Sequence, residues 1–75
     1  MHQYKIEIWS YTEKGAVGSL YDTQYADSVE QARLICNQYE RQRQDNGMKA
    51  YKVDLYLASF KLCPDKAAFF AQFQE

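Results

Sequence analysis

Strict alternation over Tyr4 to Thr12 is the feature that most narrows what this chain can fold into. Side chains in a strand point to opposite faces in turn, so Tyr4, Ile6 and Ile8 share one face and Lys5, Glu7, Trp9 and Tyr11 share the other. The isoleucine face is the expected core. The same split returns in Tyr51 to Phe60, where Tyr51, Val53, Leu55 and Leu57 oppose Lys52, Asp54, Tyr56, Ala58 and Phe60. A sheet built from these segments carries aromatic rings on both sides. With 75 residues there is little material to cover a second aromatic face. The C-terminal segment, another chain or a ligand is expected to lie on it.

Between the two segments the sequence marks a hairpin and a helix. Glu13, Lys14, Gly15 and Ala16 form a polar turn in which Gly15 is free to take positive φ, and a returning strand runs from Val17 to about Tyr25. Two registers are open. Pairing Thr12 with Val17 sets Ile8 against Tyr21, Ile6 against Thr23 and Tyr4 against Tyr25 in the core, with Trp9 against Leu20 outside. A three-residue loop shifts the pairing by one, sets Ile8 against Leu20 and moves Tyr21 and Tyr25 to the outer face.

Ser28 followed by Gln31 fits a capping box, and Gly47 after Asn46 reads as the end of the helix it starts. Val29, Ala32, Ile35, Cys36 and Tyr39 recur at helical spacing and form the expected buried side. A third strand is predicted over roughly Lys49 to Lys61, although Val53, Leu57 and Phe60 also fit a helical period; β-branched Val53 and the period of two favour the strand. Pro64 suits the first position of a short final helix through Gln74, with Lys66, Phe69, Phe70 and Phe73 along one side. A helix this short does not persist alone, so its phenylalanines must dock. They pack either across Trp9, Tyr56 and Phe60 or beside the first helix, leaving that face open.

Hairpin, helix and strand give an α+β fold, ββαβ with a C-terminal helix. A right-handed crossover yields a three-stranded antiparallel sheet in order 2-1-3, with one long helix on one face. One domain is expected over residues 1–75.

Most chemistry is disfavoured by what the chain lacks. Its one histidine, His2, sits beside a terminus, which is a poor place for a catalytic base held by a third group. Cys36, Cys63 and His2 do not have zinc-ligand spacing, and Gly15, Gly18 and Gly47 make no phosphate loop. Glu7, Asp22 and Asp54 are a conceivable carboxylate cluster, but Lys5 and Lys52 interleave with them as in a solvated charge ladder. No catalytic residue, metal site or cofactor is expected, and the chain reads as a non-enzyme. A net charge of −1 supplies no general attraction to nucleic acid or anionic lipid. No apolar run is long enough to span a membrane, and Met1 to Trp9 alternates where a signal peptide is continuously apolar. A cytoplasmic location with both thiols reduced is the expectation.

The outer aromatics therefore carry the functional expectation. Trp9, Tyr11, Tyr56 and Phe60, rimmed by Lys5 and Lys52, have the composition of a protein interface. The partner is a second copy, giving a homodimer, or another protein. Single-stranded nucleic acid stacked on the same rings is the alternative, opposed by charge. The layout of a hairpin from Met1 followed by the helix start Asp27-Ser28-Val29-Glu30-Gln31-Ala32 resembles small α+β binding proteins of phages and mobile elements, some of them anti-CRISPR inhibitors. That resemblance implies a stand-alone binder that blocks a host complex sterically, and it transfers no individual residue.

Overall fold

The computed structural model of the chain describes residues 3–73. His2 and the helix end expected at Gln74 lie outside them. Two strands, β1 (Tyr4–Tyr11) and β2 (Val17–Ala26), lead into helix α1 (Val29–Glu40), strand β3 (Tyr51–Tyr56) and helix α2 (Lys66–Ala71). The sheet is antiparallel in order β2-β1-β3, as the sequence predicts. Ile6 and Ile8 are fully buried at its centre, with Val53 and Leu55 beside them on β3 and Ala32 and Cys36 above them on α1.

The hairpin follows neither expected register along its whole length. Thr12 and Ala16 close a three-residue loop, with the Thr12 amide donating to the Ala16 carbonyl at 2.8 Å and Gly15 at φ +86°. That loop starts the shifted pairing, Tyr11 opposite Val17, but the partners then become Trp9 with Leu20 and Ile8 with Asp22. Two β-bulges on β2 account for the drift. In the first, Gly18 and Ser19 both oppose Ser10, whose hydroxyl accepts from the Ser19 amide at 3.3 Å and donates to the Ser19 carbonyl at 3.2 Å. A Cβ on Gly18 would lie 2.9 Å from Ser10 Oγ and 3.1 Å from its carbonyl oxygen, so the close approach requires glycine. In the second, Tyr21 is the extra residue. It turns to the helix side and meets the Tyr51 and Tyr39 rings at 4.9 and 6.2 Å, while Tyr25 remains on the outer face.

Helix α1 begins where its cap predicts and ends earlier. Ser28 Oγ accepts from the Gln31 amide at 3.1 Å, and Gln31 Oε1 accepts in return from the Asp27 amide at 3.2 Å. The helix stops at Glu40 instead of Gly47 because nothing in Arg41-Gln42-Arg43-Gln44-Asp45-Asn46 offers an apolar side chain to dock, and isolated helical turns are not self-supporting. That segment forms a small hairpin instead, with Arg43 bridged to Lys49 and Gly47 at φ +82°. Gln44 Nε2 donates to the Tyr11 carbonyl at 2.9 Å and ties the hairpin to β1.

Strand β3 is shorter than its alternation predicts. After Tyr56 the chain turns through Ala58–Phe60, and Leu62 comes back to bridge Tyr56. Pro64 precedes the final helix rather than starting it; Asp65 is the cap, its carboxylate accepting from the Ala68 amide at 3.1 Å. Helix α2 lies on the α1 side of the sheet. Phe70 is buried in the core, Phe69 meets Tyr4 at 6.2 Å, and Lys66 reaches Glu40 at 3.0 Å and the Val53 carbonyl at 2.7 Å. Docking of the phenylalanines across Trp9, Tyr56 and Phe60 is thereby excluded.

Cys36 and Cys63 form no disulfide and are both part of the core. Burial, helped by the nearby Glu40 carboxylate, pushes the Cys36 thiol from 9.0 up to about 12. Above pH 9 the unfolded chain releases a proton that the folded chain retains. The contribution of this thiol is complete below pH 9 and is lost between pH 9 and about 12, at up to roughly 1.4 kcal/mol per pH unit. Urea midpoints measured from pH 8 to 11 are expected to fall on the alkaline side, and Cys36→Ala to flatten the slope. Equal slopes in both proteins would remove Cys36 as the cause.

Candidate functional site: the outer face of the sheet

Three cross-strand rows make up the face opposite the helices. Tyr25, Lys5 and Tyr56 form the first, Thr23, Glu7 and Asp54 the second, and Leu20, Trp9 and Lys52 the third. Phe60 joins the first row from the turn beyond β3. Its ring meets Tyr25 at 6.2 Å, and Lys5 Nζ lies 5.4 Å from the Tyr56 centroid and 5.8 Å from that of Phe60. Such ammonium–ring contacts are worth about 0.5–1 kcal/mol at exposed sites. Lys5 thus fills the space between two rings with its own charge.

Every charge on this face has a neighbour of opposite sign. Lys5 pairs with Glu7 at 3.2 Å, Lys52 with Asp54 at 3.3 Å, and the Tyr56 hydroxyl donates to Glu7 Oε1 at 3.2 Å. Glu7 and Asp54 face each other directly across β1 and β3, an unfavourable placement for like charges that the two lysines offset. Burial raises the Tyr56 phenol above its usual value, and the hydrogen bond to the Glu7 carboxylate raises it further. Asp22 is not part of this cluster. The second bulge sends it to the helix side, where it accepts from Gln24 Nε2 at 3.0 Å, and Gln24 in turn donates to the Tyr39 hydroxyl. Among the described residues no group of three or more His, Cys, Asp or Glu is placed to hold a metal ion.

Phe60 occupies its position under strain. Ser59 and Phe60 take φ +64° and +53°, the left-handed region that costs an L-residue about 1–2 kcal/mol. Neither is glycine, and Phe60 stays 48% exposed in that position. Strain of this kind persists where the surroundings fix it and is common at ligand contacts. Ser59→Gly is expected to raise stability by about 0.5–1 kcal/mol, since glycine adopts this φ without a Cβ clash. A thermal midpoint lower than that of the natural chain would show that the turn is not strained at Ser59.

Of the residues picked out in the sequence, Lys5, Tyr56 and Phe60 come together, and Trp9 and Lys52 pair two rows away. Trp9 is half-buried, and its indole Nε1 is shielded from solvent without an acceptor. Tyr11 lies apart at the hairpin end, beside Gly15, Met48 and Lys49. Tyr25 belongs to the face and is absent from the set chosen by alternation; the three-residue loop Glu13-Lys14-Gly15 is the signal that places it there. Leu20 is likewise exposed on the face.

A groove of about 490 Å³ between α1 and α2 is the other concave feature. Its Lys66 and Glu40 pair with each other, Asp65 is engaged as the cap of α2, Arg33 also lines it, and its Cys36 thiol is held protonated, so the groove offers no thiolate nucleophile at neutral pH. No helix among the described residues is long and apolar enough to cross a membrane. Comparisons with protein-family models, curated proteins and solved structures give no match.

Proposed function

We propose that this chain is a non-enzymatic interaction module that binds a protein partner through the outer sheet face. The observation that carries this reading is the docking of Phe69 and Phe70 on the helix side, so that among the described residues no helix covers Trp9, Tyr56 and Phe60. Half-exposed aromatics surrounded by neutralised charges are the composition of an interface centre. Backbone pairing is a less suitable mode. The β3 edge is occupied by its own chain, through the Cys63 amide on the Leu55 carbonyl at 2.8 Å and Lys66 on the Val53 carbonyl, while β2 is bulged.

Trp9, Tyr56 and Phe60 act as flat apolar anchors, with Tyr25 beside them and Tyr11 at the periphery. Lys5 and Lys52 select against the wrong charge at the rim. The partner is a second copy of the chain or a host complex that it inhibits by occupying a surface, in keeping with the resemblance to small phage and mobile-element proteins and with work in a reducing cytoplasm. Nucleic acid is the weaker fit because both lysines of the face are already paired with carboxylates.

The test has two arms. Sedimentation and acrylamide quenching of Trp9 across protein concentrations read self-association, and Trp9→Ala and Phe60→Ala are expected to weaken it or the capture of a heterologous partner. Titration with single-stranded oligonucleotides is expected to show no binding at physiological salt. Binding that weakens steeply as salt rises would overturn the protein-partner reading.

A further inference from the structure

The direction of the backbone groups on β2 follows from the other side of the sheet. The Val53 and Leu55 carbonyls bond outward at the β3 edge, so Lys52, Asp54 and Tyr56 turn their backbone groups toward β1. Their partners Trp9, Glu7 and Lys5 must face β3, which leaves Ile8, Ile6 and Tyr4 to bond with Asp22, Gln24 and Ala26. The Thr23 amide and carbonyl therefore point away from β1, to the open edge of the sheet. An edge of this kind pairs readily with another strand, and β2 is ten residues long with a single charged side chain, Asp22.

That one charge is spent on the edge itself. Asp22 Oδ1 accepts from the Thr23 amide at 2.8 Å, its Oδ2 is held by Gln24 Nε2 at 3.0 Å, and Gln24 is braced against α1 through the Tyr39 hydroxyl at 3.0 Å. The upper half of the strand, by contrast, is already put out of register by its two bulges, which twist an edge away from partners. We propose that Asp22 is an edge guard, whose carboxylate caps the outward Thr23 amide and prevents two copies of the chain from joining through β2. Without it, the Thr23 amide and carbonyl of one copy meet the same groups of a second about a two-fold axis, with Asp22 positions opposite Gln24 so that no like charges would oppose each other even in a partly opened guard. This surface is separate from the outer aromatic face.

Amide exchange and sedimentation velocity on the full chain test the assignment. In the natural chain the Thr23 amide is protected. In Asp22→Ala at dilute concentration it exchanges roughly tenfold faster or more, the loss of a charge-assisted hydrogen bond. At higher concentration Asp22→Ala forms a dimer that the natural chain does not form under the same conditions. Asp22→Asn, whose side-chain carbonyl still accepts, stays like the natural chain, and adding Thr23→Pro to Asp22→Ala abolishes the dimer by removing the amide. An unprotected Thr23 amide in the natural chain overturns the proposal even if Asp22→Ala does not fold. A folded Asp22→Ala with the natural association state, or a dimer that survives Thr23→Pro, also overturns it.

Discussion

Phe70→Ala is expected to destabilise the chain by about 3–5 kcal/mol, the usual cost of emptying an aromatic core site. Phe70 is only 8% exposed and lies among Ile6, Ile8, Leu55, Cys36 and Cys63. A chain of 75 residues has a total stability of about 4–11 kcal/mol at the usual 0.05–0.15 kcal/mol per residue, so this one truncation removes much of it. Phe73, three positions on and just past the end of the helix, is 51% exposed with its ring against Phe69, and its truncation should cost less than about 1 kcal/mol. Urea titrations followed by circular dichroism separate the two. Should Phe70→Ala be unfolded from the start, Phe70→Leu provides a milder measure of the same site. Equal costs at Phe70 and Phe73 would mean that α2 does not insert Phe70 into the core, and the claim that the outer face is uncovered would fall with it.

The reason that result matters is the competition between two homes for the same phenylalanines. A six-residue helix contributes little by itself and goes where its apolar side is best buried. The sequence leaves both homes open because periodicity defines which side of a helix is apolar and not which surface receives it. What decides is polar. Lys66, on the same side as Phe69 and Phe70, finds both the Glu40 carboxylate and the free Val53 carbonyl on the α1 side of β3. The outer face offers it Asp54 already paired with Lys52.

Element order, strand pairing and the buried isoleucines are legible in the sequence because alternation and capping are local signals of known period. The features that fail to show there are the ones set by a single side chain acting at a distance. Ser10 fills a bulge that no alternation pattern announces, and the two bulges together separate Tyr21 from Tyr25, which share a face in either register of a regular hairpin. The helix is read too long because Gln, Arg and Asn between Arg41 and Asn46 tolerate a helix without anchoring one. Phe60 is read as a strand residue since Ala58 and Phe60 continue the period of two. The left-handed turn at Ser59 and Phe60 has no glycine to reveal it, yet it delivers Phe60 to the same face by another route. Strain and alternation thus arrive at one cluster independently, which is the strongest physical reason to regard that cluster as more than leftover surface.

Trp9→Ala is expected to weaken association through the outer face by about 2 kcal/mol or more, roughly thirtyfold in affinity, while the monomer stays folded. Two terms oppose each other in the free protein. Truncation removes the half-buried indole's apolar contacts, but it also removes a shielded Nε1 donor with no acceptor, a group whose isolation costs about 1–3 kcal/mol. The net change in stability should therefore be smaller than the full truncation of a core aromatic, and Trp9→Phe, which deletes the donor and keeps a ring, should be close to neutral. Binding has no such offset, because the flat ring area is what a partner would cover. Circular dichroism melts of both variants, set beside their sedimentation or partner capture, distinguish the outcomes. If Trp9→Ala loses its cooperative melt as Phe70→Ala does, Trp9 is a second core under the sheet and the binding surface must be sought among Tyr25, Tyr56 and Phe60 alone.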